Sequence, residues 1–115
     1  MKRLMLLAVG FSGLIAGCGQ YGPSSVEIRN SAGVRLVDME LDVGGRKIQV
    51  APIDPGHVAK VEFTAVSDSA LRIRYRRADE PPTSSCDGDV YVATGLRQHL
   101  RVNVDSSGSC EVKEL

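Results

Sequence analysis

The stretch VDMELDVGGRKIQV, Val37 to Val50, decides the fold. Val37, Met39, Leu41 and Val43 alternate with Asp38, Glu40 and Asp42, which is the period of a strand with one apolar and one wet face. Gly44-Gly45 follows, and two glycines supply the positive φ angles that a two-residue hairpin turn needs. If those two residues form the loop, Val43 faces Arg46, Leu41 faces Ile48, Met39 faces Val50, and Asp42 faces Lys47. A slip of one residue would turn the apolar set to water, so the pattern fixes the register.

The same alternation recurs outward from this hairpin. It appears at Val26 and Ile28, at Ala59 to Ala65, at Leu71 to Tyr75, at Val90 and Val92, and at Leu100 to Val104. A three-residue loop at Ser67-Asp68-Ser69 predicts a second hairpin, with Phe63 opposite Ile73, Val61 opposite Tyr75 and Glu62 opposite Arg74. No segment after residue 18 has helical periodicity. The expected fold is therefore all-β: a small antiparallel β-sandwich of about seven strands, immunoglobulin-like or transthyretin-like. Residues 78–89, ADEPPTSSCDGD, read as a long loop, because Pro81-Pro82 cannot donate to a ladder and Asp87-Gly88-Asp89 favours a turn.

The amino terminus has a different composition. Lys2 and Arg3 precede an apolar run from Leu4 to Ile15, which ends on Ala16-Gly17, the three-part pattern of a secretory signal peptide. The run is shorter than the ~20 apolar residues of a spanning helix. In the order Leu14-Ile15-Ala16-Gly17-Cys18 it resembles the lipobox of bacterial lipoproteins. That resemblance covers about a sixth of the chain. It implies that the Cys18 thiol receives a diacylglyceryl group, that residues 1–17 are removed, and that the new amino terminus is acylated. Several acyl chains hold a protein on a bilayer stably where one does not. Glycine rather than aspartate at position 19 implies the periplasmic face of the outer membrane. Residues 18–25 then form a lipidated, flexible Gly/Pro/Ser tether, and residues 26–115 the sandwich domain.

Lipidation withdraws Cys18 from disulfide chemistry and leaves Cys86 and Cys110 as an even pair in an oxidising compartment. With one strand between them they would stand ~10 Å apart, beyond the 4.4–6.8 Å that a disulfide spans between Cα atoms, so the SSGS loop is expected to carry Cys110 inward. Removing the leader also takes away Lys2 and Arg3, so 14 basic side chains become 12 against 14 acidic ones. A net charge of −2 argues against nucleic acid as a partner.

Few residues carry candidate chemistry. Arg72, Arg74 and Arg76 share one strand face and could grip an anionic partner. The favoured expectation is that they pair with the acidic row Asp38, Glu40 and Asp42, because the second and fifth strands are neighbours in an immunoglobulin order. The loop from Ala78 to Asp87, stiffened by Pro81 and Pro82, is a second candidate partner-binding element. His57 and His99 have no metal-ligand spacing, and no Gly-x-Ser-x-Gly elbow is present. The implied protein is a non-catalytic interaction or accessory module of the cell envelope, with no cofactor beyond the covalent lipid. Its expected partners are the membrane and an envelope protein. The alternative is an inhibitor or immunity lipoprotein against an envelope-attacking enzyme.

Overall fold

The computed structural model describes residues 23–79 and 83–115. Eight strands fill this span: β1 (Ser24–Ser31), β2 (Leu36–Val43), β3 (Arg46–Val50), β4 (Val58–Phe63), β5 (Ser69–Arg77), β6 (Thr83–Val92), β7 (His99–Asp105) and β8 (Cys110–Glu114). They form two four-stranded sheets, one in the order β4-β1-β7-β8 and the other in the order β3-β2-β5-β6. The first two strands lie in opposite sheets, which excludes the immunoglobulin order, where they pair. The transthyretin-like alternative is the arrangement adopted.

The β2–β3 hairpin has the expected register throughout: Val43 lies opposite Arg46, Asp42 opposite Lys47, Leu41 opposite Ile48 and Met39 opposite Val50. Gly44 and Gly45 both have positive φ, 59° and 80°, the requirement of a type I′ turn. The inward-facing residues of the two sheets meet in one core. Val26, Ile28, Leu100 and Val102 come from the first sheet, and Leu41, Ile73, Tyr75 and Val92 from the second, all inaccessible to solvent.

Other expectations need correction. Ser67–Ser69 is not a hairpin loop: β4 pairs with β1, β5 pairs with β2 and β6, and residues 64–68 cross between the sheets. Glu62 accordingly lies opposite Ser25, not Arg74. The crossing is held by the Gly44 carbonyl, which accepts from Val66 N at 2.8 Å and Ser67 N at 3.1 Å. An apolar period shows which side of a strand faces the core but not which sheet the strand joins.

The long loop is also shorter than expected, because β6 already begins at Thr83 and Asp87-Gly88-Asp89 lies within it. Its inward positions include Cys86 and Gly88, too small and too polar to mark a strand by periodicity. The bend that Asp-Gly-Asp signals survives as a bulge: Asp87 to Tyr91 takes four steps on β6 against the two from Arg72 to Ala70 on β5. A second bulge lies in β2 between Val37 and Glu40. There Asp38 adopts φ 51°, so Leu36 rather than Val37 joins Met39 in the core.

All pairings are antiparallel except one. β1 runs parallel to β7, with Val26 beside Leu100 and Ile28 beside Val102. β1 also starts two residues before the expected boundary at Val26. Ser24 Oγ accepts from Gln98 N at 2.9 Å and donates to Leu96 O at 3.2 Å, and Ser25 N donates to Gln98 O at 2.9 Å, which extends the pairing.

Asn30 closes the end of β1. Its buried amide donates to the Val34 and Ile53 carbonyls, each at 2.8 Å, and its Oδ1 accepts from Ala32 N at 2.9 Å.

Candidate functional site

The arginine row lies on the outer face of the second sheet, where β5 sits between β2 and β6. Arg74 donates to Glu40 at 2.7 Å and Arg76 to Asp38 at 2.9 Å, so the acidic row of β2 meets the basic row of β5. Arg72, although opposite Asp42 in register, takes its carboxylate from the other side and donates to Asp87 at 2.7 Å. Each guanidinium of the row thus has an intramolecular acid. The Arg74 guanidinium holds the Glu40 carboxyl below its ordinary range, and Gln49, donating to the same carboxylate at 3.0 Å, works in the same direction. On the outer face of the first sheet, Glu27 is lowered in the same way by Arg101, at 2.9 Å.

The expected disulfide between Cys86 and Cys110 is present, with a Cα separation of 6.0 Å. The two cysteines are not in one sheet, as the sequence reading assumed. β6 is the outer strand of one sheet and β8 of the other, so the crosslink staples the two sheets together along one side of the sandwich. Gly88 faces Val112 across the same seam, where no Cβ fits. Tyr75 adds a strap from the second sheet, its hydroxyl donating to the Gly108 carbonyl at 2.8 Å. Of the other residues singled out by sequence, Cys18, Pro81 and Pro82 lie outside the described residues. At the end of β5, Arg77 Nη1 donates to Ser106 O at 3.1 Å, and Ala78 N, just after it, donates to Arg35 O at 2.9 Å.

The opposite side of the sandwich is open. β3 and β4 are outer strands of different sheets, each with one strand neighbour. Between them runs a cleft of about 370 Å³ whose apolar lining includes Ile48, Val50, Pro52, Ala59 and Val61, with Gln49, Asp54, His57 and Lys60 as its polar members. Ile48, Val50, Ala59 and Val61 are half-buried, and Val58 is 50% exposed. The backbone groups on the free sides of two neighbouring edges are hydrogen-bonding positions for an added strand. Sequence reasoning did not find this cleft, because it depends on which strands are outermost. The turn Asp54-Pro55-Gly56-His57 closes its far end, with His57 N donating to Asp54 O at 3.0 Å and Gly56 at φ 79°.

His99 sits on β7 with its Nδ1 2.6 Å from Ser25 Oγ on the parallel strand β1. The pair ties two strands together on the outer face of the first sheet. Among the described residues no group of three or more His, Cys, Asp or Glu is placed to hold a metal ion, and no helix is long and apolar enough to cross a membrane.

Fold and edges together define a small two-sheet sandwich, stapled along one side and open along the other. No family model matches the chain, and no curated protein matches it by sequence. Among solved structures, the chain is similar to the NMR structure of a protein from Eubacterium rectale. That match has 10% identity and a TM-score of 0.54, and covers 80% of this chain and 87% of that one. At that identity the likeness is one of fold alone.

Proposed function

We propose that this chain is a bacterial lipoprotein, lipidated at Cys18 and held at the periplasmic face of the outer membrane. In this reading its sandwich is a non-catalytic accessory module that receives an extended segment of an envelope protein. The observation that carries the binding half is the asymmetry of the two sides. Cys86–Cys110 locks β6 to β8, whereas β3 and β4 leave a half-buried apolar cleft between two edges. Strand addition there would satisfy backbone groups by hydrogen bonding while alternate side chains fill the cleft. The arginine row is not the preferred surface, because each of its members already has a carboxylate. The anchor rests on Leu14-Ile15-Ala16-Gly17-Cys18, and the disulfide supports it by accounting for the other two cysteines in an oxidising compartment.

The test places a photo-crosslinking residue at Val58 or at Arg74 in the protein produced in its own envelope, alongside mass spectrometry of residue 18. Acylated Cys18 and a partner captured from position 58 but not from 74 is the expected result. An unmodified Cys18 overturns the anchor, and capture only from position 74 overturns the edge. Capture of an envelope-degrading hydrolase would replace the accessory role with inhibition.

A further inference from the structure

The sandwich has two poles, and the strand directions show which one adjoins the anchor. β1 and β7 begin at one pole, where β4 and β8 end. In the second sheet, β2 and β6 end there and β3 and β5 begin. The two sheets are tied at this pole by Val66 N donating to Gly44 O at 2.8 Å, and the 64–68 and 93–98 segments by Thr94 N donating to Asp68 Oδ1 at 2.8 Å.

Five large apolar side chains are strongly exposed among the described residues, and four of them belong to this pole. Val66, on the crossing between sheets, is 58% exposed; Leu96, on the β6–β7 connection, is 53%; Leu115, after β8, is 59%; and Tyr91, one residue from the end of β6, is 60%. Single exposed apolar residues need no explanation, but their collection at one end does. Leu115 is fixed there by its N–H, which donates to His99 O at 2.8 Å. Arg97 stands on the β6–β7 connection, and Arg46 opens β3 at the same pole, its Nε donating to Thr64 O at 3.0 Å.

We infer that this pole, with Leu96, Val66, Leu115 and Tyr91, seats on the lipid bilayer that holds the acyl chains. The inference rests on the lipidation of Cys18 and says how the domain then stands. Five residues, six chain steps, separate Cys18 from Ser24, so even fully extended this stretch reaches about 20 Å. β1 is about 25 Å long, so the tether keeps the pole where β1 begins within about 20 Å of the bilayer and puts no such bound on the other. Leucine and valine enter the headgroup boundary, a tyrosine lies at the level where aromatic belts form, and arginines meet lipid phosphates. Seated this way, the domain presents the cleft between β3 and β4 sideways and the His57 turn outward.

The protein has no tryptophan, so one introduced indole reports on its own position. Lipidated protein carrying Leu96→Trp, and separately Ser107→Trp at the far pole, is reconstituted in phosphatidylethanolamine–phosphatidylglycerol vesicles containing brominated acyl chains, with acylation of Cys18 verified by mass. The expected result is Leu96→Trp quenched at least about threefold more strongly than Ser107→Trp, as an interfacial depth of 5–10 Å requires. Val66→Trp gives the same reading should Leu96→Trp fail to fold. Equal quenching at both poles with Cys18 acylated overturns the seat and leaves the anchor intact. Shielding of Leu96→Trp only when an envelope protein is added also overturns the seat, by assigning the pole to that protein. An unacylated Cys18 overturns the anchor, and the seat with it.

Discussion

Gly88 of β6 lies so close to Val112 of β8 that a Cβ on residue 88 would stand 2.9 Å from both the Cβ and the Cγ2 of Val112. Neither atom is at the flexible end of a side chain, and Cys86–Cys110 holds both strands in place a short distance away. Gly88→Ala should therefore destabilise the domain by about 1–3 kcal/mol, the usual cost of overpacking. Val112→Ala in the same molecule should recover much of the loss, and urea unfolding of the four-member mutant cycle measures the coupling.

The disulfide closes 24 residues of sequence separation, worth about 3.5 kcal/mol in the chain-entropy view. Reduction should lower the melting temperature by roughly 15–25 °C for a domain of this size. Unfolded but unreduced lipidated protein should show no reactive thiol on titration, and two reactive thiols would show that Cys86 and Cys110 are not joined.

Stability should fall at both ends of the pH range for different reasons. The carboxyls of Glu40, Glu27 and Asp105 are lowered, respectively by Arg74, by Arg101 and by hydrogen bonds from Ser107. The folded state thus binds fewer protons than the unfolded chain as these groups titrate. Their contribution is complete above the ordinary carboxylate range and is lost as pH falls through the lowered values. Burial raises Tyr75, with the nearby Asp105 adding to the shift. Its contribution is complete below the ordinary tyrosine range and is lost as pH rises toward the raised value. Glu40→Gln should flatten the acid limb and Tyr75→Phe the alkaline limb of a plot of urea midpoint against pH.

Asn30→Ala should cost about 2–3 kcal/mol. The amide makes three hydrogen bonds, and the change takes the acceptor from the buried Ala32 N–H and one of two donors from the Ile53 carbonyl, which keeps Leu36 N. Hydrogen exchange should quicken first at Leu36 and Ile53, whose paired backbone bonds at 3.0 Å the amide braces.

Much of the fold was legible because local and long-range demands agreed. Gly44-Gly45 allowed one turn, that turn allowed one register, and the register placed Leu41 in the core and Asp42 by Lys47. The phases of β2 and β5 placed the acidic and basic rows on outer faces, and their meeting was expected from an immunoglobulin order that the protein does not have but whose β2–β5 adjacency it shares. Arg72's partner was not, since Asp87 stood in a segment whose strand character was hidden by small and polar inward residues. The 64–68 connection misled because its length suits a hairpin as well as a crossing, and Ala65, Phe63 and Val61 are apolar on the core side in either case. The cleft between β3 and β4 could not be read at all, since no local pattern records which strand ends up outermost.

The parallel pairing of β1 with β7 sets the order in which the molecule can assemble. Ser25 is joined to His99 across 74 positions of chain, so the first strand made has no complete neighbourhood until almost the last one has arrived. β2, β3 and β5 close local ladders early, while β1 must wait with one edge unsatisfied and the loop entropy of most of the chain still to be overcome. Synthesis from one end therefore leaves the opening strand paired with β4 alone until β7 arrives, at the very end of the domain that adjoins residue 18.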